Sequence, residues 1–295
     1  MAATTVDTHR GSTWRDSTVR RRTFAVIRVL VALWLTALVI FPLTEAVFVW
    51  LPADVVVSIV GDGGAGGSEA ARFEAHRSHL AAIALLGWAV VLCAYAQWRG
   101  PERRLGSLRL LVVLAIAMAV AYSVSGGLRE SLVEEGAFVV PIALLAAFHP
   151  RAADLVAWRG WNGPMLVAAL VALAPLAWHV VANMARQVGG DDPHAVDEHW
   201  ATAALLGVLI AAGALMGASR ADGWRLPAWI AVGAATFYGV HSLAYPGNAS
   251  GWSMVGAAVA VAWAVVFGVL ASRRARAERR TAGDGAPATT DASPA

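Results

Sequence analysis

Eight apolar runs separated by short polar stretches organise this chain: 24–51, 79–98, 108–125, 133–148, 164–185, 199–218, 226–244 and 251–272. Most approach the roughly 20 apolar residues that an α-helix needs to cross a bilayer. The run 133–148 is the shortest and is interrupted by Pro141. The pattern predicts an all-α polytopic membrane protein with eight transmembrane helices. The first run follows an arginine-rich polar stretch and is too long for a signal-peptide core, so it reads as an uncleaved signal anchor. The polar connections leave no room for a sizeable domain outside the membrane.

The two halves of the chain look related. Span two opens His79-Leu80-Ala81-Ala82-Ile83-Ala84-Leu85-Leu86-Gly87, and span six opens His199-Trp200-Ala201-Thr202-Ala203-Ala204-Leu205-Leu206-Gly207. Two further pairs agree in order: Pro42-Leu43 with Pro175-Leu176, and Tyr122-Ser123-Val124-Ser125 with Tyr238-Gly239-Val240-His241. The expected organisation is a basic N-terminal segment (1–23), a four-helix membrane repeat (24–148) and a linker (149–163). A second four-helix repeat (164–272) and a basic, then disordered, tail (273–295) complete it. With an even number of spans per repeat, both halves enter from the same side, related by an axis along the membrane normal.

Charge orients the expected spans. Arginines crowd the N-terminal segment, the loop holding Arg99, Arg103 and Arg104, and the stretch Arg273–Arg280, whereas the alternate loops carry Asp54, Glu74, Glu134, Asp197 and Glu198 among other acids. The positive-inside rule then places both termini in the cytoplasm of a cell-membrane protein. Composition agrees, with 58% hydrophobic and 15% charged residues and a mean hydropathy of +0.59. All 23 basic residues are arginine. The absence of lysine excludes Schiff-base chemistry and a Walker A phosphate loop. A pI near 9.6 points to the inner membrane face, not to nucleic acid, because the arginines flank the spans. Cys93, the single cysteine, excludes an intrachain disulfide, a thiolate zinc cluster and a dithiol relay.

The unusual chemistry lies on the outer side. Six of the eight histidines fall there in this topology: His76, His79, His179, His194, His199 and His241. Ionisable groups inside a membrane normally face a bundle interior or a wet cavity, and neutral imidazole is the commonest ligand of transition metals and haem iron. His179, His199 and His241 form the expected metal-ligand set for iron, copper or zinc, with His79 and His199 as cofactor-binding histidines at repeat-equivalent helix starts. Glu45, at a depth in span one comparable with that of His179 in span five, is the candidate catalytic, proton-handling acid. His76 and His79, at i and i+3, share a face if their helix begins early. As loop residues, His76 and His194 read as solvated. Trp178, beside His179, is a candidate pocket wall.

In plan the chain resembles haem A synthase: two four-helix halves, outer histidines opening spans two and six, and Glu74-Ala75-His76-Arg77 in place of an acid–histidine–arginine motif. The resemblance implies a membrane oxidoreductase, haem ligated through His79 and His199, and a lipid-soluble or other small-molecule substrate. The motif is one residue short, and that family's ligand histidines of spans four and eight have no counterpart here, since span eight carries none and His149 lies at the inner end of span four. Two other readings remain: a small-solute or ion transporter whose polar residues line a path, and a non-enzymatic scaffold with a buried polar network.

Overall fold

The computed structural model describes residues 18–60, 66–125, 128–157, 160–190 and 193–284. The N-terminal segment before residue 18 and the tail beyond 284 lie outside them. Ten α-helices follow in order among the described residues: α1 (Thr18–Phe48), α2 (Ala53–Val60), α3 (Gly66–Trp98), α4 (Leu105–Ser125) and α5 (Leu128–Phe148), then α6 (Gly163–Gly189), α7 (Pro193–Val196), α8 (His199–Ala218), α9 (Arg225–Ala244) and α10 (Met254–Asp284). Among the described residues there is no strand, only an isolated bridge between Trp161 and Ser219.

Among the described residues, five helices are long and apolar enough to cross a membrane: Ala70–Trp98, Leu105–Ser125, Gly163–Gly189, His199–Ala218 and Met254–Thr281. Gly136–Phe148 is a shorter apolar helix. The runs 24–51 and 226–244 are largely helical, in α1 and α9, but neither is among the five. An integral membrane protein is therefore indicated. The larger departure from the sequence pattern is in α3, which starts at Gly66 rather than at the apolar boundary near His79. Polar residues do not stop a helix. They only remove its hydropathy signal, so the acid-rich stretch ahead of the span continues it.

The centre of the bundle is α8, whose apolar window is 83% buried, against 17% for α6 and 28% for α10. Its small residues permit this, because helices in lipid associate through close packing rather than through hydrophobic expulsion. A Cβ on Gly217 would stand 2.7 Å from the Ala228 Cβ of α9, and one on Gly213 would stand 2.9 Å from the Pro227 carbonyl oxygen. At one end of the bundle the loops are stitched together. Gly106 N–H donates to Asp222 O, Asn162 N–H to Ala218 O and Arg220 N–H to Gly160 O. Gly223, at φ +78°, passes so near Arg104 that a Cβ would lie 2.7 Å from its Cα. Arg151 ties the same loops through Asp154, Asp222 and the Glu102 carbonyl. The two carboxylates raise its pKa.

The opposite end carries His76, His79, His194 and His199. There Arg77, only 1% exposed, donates to the Val49 and Leu51 carbonyls at 2.8 Å and chelates Glu74 through two bonds. Its guanidinium also lies 4.3 Å from the Tyr245 ring centroid. This side chain fastens the turn after α1 to α3 beside His76 and His79. Asn248 in the α9–α10 loop completes the seam, its side-chain oxygen accepting from Ser78 N–H and its amide donating to Glu74 O.

Candidate metal centre at the histidine end

Because α3 begins early, His76 and His79 lie one turn apart on a continuous helix, with ring centroids 6.1 Å apart. His199 opens α8, and its ring stacks on His79 at 4.8 Å. His194 arrives from the connection. The four-residue helix α7 is followed by Glu198 in the left-handed region at φ 57°, a reversal that lets a residue five positions before His199 join it. The His194 ring stacks on His76 at 4.6 Å and lies 5.1 Å from His79. Four imidazoles thus meet between α3, α7 and α8.

Hydrogen bonding sets which of their nitrogens are basic. His76 Nδ1 is 2.6 Å from the Arg72 carbonyl, and His79 Nδ1 is 3.1 Å from the His199 carbonyl. A carbonyl only accepts, so each Nδ1 carries the proton and each Nε2 keeps its lone pair. This backbone-fixed tautomer is the usual state of a metal-ligating histidine. Both Nε2 atoms, and His199 Nδ1, are buried without a hydrogen-bond partner. Asp197 supplies a carboxylate. One potential ligand atom each from His76, Asp197 and His199 lie within 4.8 Å of one another, against the roughly 3.4 Å edge of a zinc tetrahedron with bonds near 2.1 Å. Rotamer adjustments would close that difference. Exposed Asp197 also pairs with Arg72 at 3.6 Å, a weak bond that an ion would displace.

The residues expected from the sequence are divided by this geometry. His79 and His199 come together. His179 and His241 do not join them, and of these four only His199 belongs, with His76 and Asp197, to the one group of possible ligands found among the described residues. His179 lies one turn further along: its Nε2 donates to the Ala203 carbonyl at 3.0 Å, and its Nδ1 faces Asn183 Nδ2 at 3.1 Å and Trp252 Nε1 at 3.3 Å. Both of its nitrogens are therefore engaged, leaving no lone pair for a metal. His241 is fully buried among Trp50, Tyr238 and Tyr245. Glu45 is buried in α1 with Oε2 unpartnered and is not part of the group. His76 and His194, which the sequence pattern assigned to solvent, meet in the cluster, and Asp197, which it read only as a loop acid, lies beside them. The signal was present in the i, i+3 spacing of His76 and His79, once the helix is extended through the acidic stretch.

Haem fits this cluster poorly. Two axial imidazoles stand on opposite faces of the porphyrin, whereas the His79 and His199 rings stack directly at 4.8 Å, with no gap for a macrocycle. Comparison with protein families, curated proteins and solved structures finds no match for the chain. Function is therefore read from the geometry alone.

Proposed function

We propose that the protein is an integral metalloprotein of the cell membrane, holding one divalent first-row transition ion at its outer end. His76, His199 and Asp197 are the ligands, and His79 and His194 are flanking imidazoles. One observation carries this reading: His76 Nε2 and His199 Nδ1 are buried without partners where a ligand atom from each of His76, His199 and Asp197 lies within 4.8 Å of the others, and the His76 tautomer is fixed by the Arg72 carbonyl. Unpartnered polar atoms are costly to bury, and a cation satisfies both together. Two histidines and one carboxylate leave coordination positions open, the arrangement that suits iron(II) or catalytic zinc rather than a closed structural site. The eight-span, four-plus-four plan belongs to the same proposal. It places the arginine-stitched loops and both termini inside, and the histidine end outside.

The test is a cobalt(II) titration of chelator-treated protein in detergent, followed by visible absorption. One equivalent is expected to bind, with His76→Ala and His199→Ala each weakening binding by about a hundredfold or more. A protein that binds no stoichiometric metal, or two folded variants that bind as the parent does, would overturn the assignment. The rings would then serve as a stacked clamp between α3 and α8.

A further inference from the structure

A cavity of about 420 Å³ opens between α6, α8, α9 and α10, separate from the histidine cluster. Its inner walls are apolar, formed by Ala172, Leu176, Ile210 and Ala235, while Arg186, Asn183, His179 and Ser253 gather at the other end. The mouth faces sideways, because Val171, Val259 and Trp178 on its rim are 67%, 59% and 74% exposed. In a bilayer those side chains meet lipid, not water.

Asn183 decides what the polar end wants. Its residue is 4% exposed, and Nδ2 donates to the His179 carbonyl at 2.8 Å and to His179 Nδ1 at 3.1 Å. Both neighbours are acceptors, since the His179 proton is on the Nε2 that donates to Ala203 O. The amide therefore cannot be flipped, and the atom left over is Oδ1, an acceptor that has no partner. An acceptor buried at the polar end of a cavity calls for a ligand that donates. Arg186, whose guanidinium lies 4.8 Å from the Trp200 ring centroid, supplies a cation beside it for an oxygen of the same head.

We propose that this cavity binds a membrane-borne amphiphile with an apolar tail and a hydroxyl-bearing head. The hydroxyl donates to Asn183 Oδ1, a head oxygen accepts from Arg186, and the tail leaves between α6 and α10. Two lipid sources share that chemistry: isoprenoid quinols, whose flat head would also pack on Trp252, and glycerol-headed phospholipids.

Native mass spectrometry of the detergent-solubilised protein tests this with decylubiquinol, dioleoylphosphatidylglycerol and dioleoylphosphatidylcholine, the last lacking a hydroxyl donor. At least one donor-bearing probe is expected to bind at one equivalent, about tenfold more tightly than phosphatidylcholine, as a lost hydrogen bond would give. Asn183→Leu should erase that preference. Ala260→Trp fills the cavity from α10 without touching the polar network, so it should abolish binding even if Asn183→Leu fails to fold. Preference for the quinol identifies a redox lipid, and preference for phosphatidylglycerol a structural or substrate phospholipid. Equal binding of all three probes, a folded Asn183→Leu that keeps the preference, or unchanged binding by Ala260→Trp overturns the proposal. Cobalt binding by the same samples reads the metal site separately.

Discussion

Close approach of α8 and α9 makes a sharp prediction about two glycines. Replacing glycine by alanine inside a helix stabilises it by up to about 1 kcal/mol through propensity alone. At Gly233 in α9 nothing lies within 4 Å of the new Cβ, so that gain should appear unopposed. At Gly213 in α8 the Cβ would stand 2.9 Å from the Pro227 carbonyl oxygen and 3.1 Å from the Ala231 Cβ. Neither is the end of a flexible side chain, so the helices must separate by several tenths of an ångström. Overpacking of this kind costs about 1–3 kcal/mol. Gly213→Ala should therefore be less stable than Gly233→Ala by about 1–3 kcal/mol. The protein carries its own reporter, because Cys93 is the sole cysteine and is fully buried. Its reaction with a fluorogenic maleimide during heating in detergent reads unfolding directly. Equal midpoints for the two variants, or a higher one for Gly213→Ala, would refute the packing argument.

Other outcomes follow from the histidine end. Arg77→Met should destabilise by about 3–5 kcal/mol in the same thiol assay, since it frees two buried carbonyls and strands the turn after α1; Glu74→Gln, which keeps both carbonyl bonds, should cost much less. Arg72→Gln should tighten cobalt binding up to about fivefold, because the exposed ion pair with Asp197 is worth no more than about 1 kcal/mol. Weaker binding by that variant would show that Arg72 orients the carboxylate rather than competing for it.

Helices were the legible part of this sequence, and the reason is physical. Long apolar runs such as 199–218 have one way to satisfy their backbone in lipid, so α4, α6, α8 and α10 stand where hydropathy puts them. The start of α3 was hidden because Glu69, Arg72 and Glu74 are good helix residues with no hydropathy signature. That one boundary decided whether His76 was a loop residue or a helical neighbour of His79. His199 and His79 were legible as a pair through the matching starts of spans two and six. His194 was not, since its position depends on the left-handed turn at Glu198, a residue type that gives no warning of it. Nor did His179 announce that its nitrogens would be taken by Ala203, Asn183 and Trp252. Asn183 is one turn along the same helix, but Ala203 and Trp252 come from other segments, and only the tertiary arrangement brings them to the ring.

The deep enclosure of α8 also constrains how the molecule is made. Synthesis runs from the N-terminus, so α8 reaches the bilayer after α3, α4 and α6 and before α9 and α10 have inserted. Its glycine-lined flank, shaped for Pro227, Ala228 and Ala231, must meanwhile rest against lipid or an assembly factor. The chain therefore passes through a stage in which its central helix is half-clothed. That stage ends only when the turn at Gly223 reverses the polypeptide and folds α9 back over the exposed side.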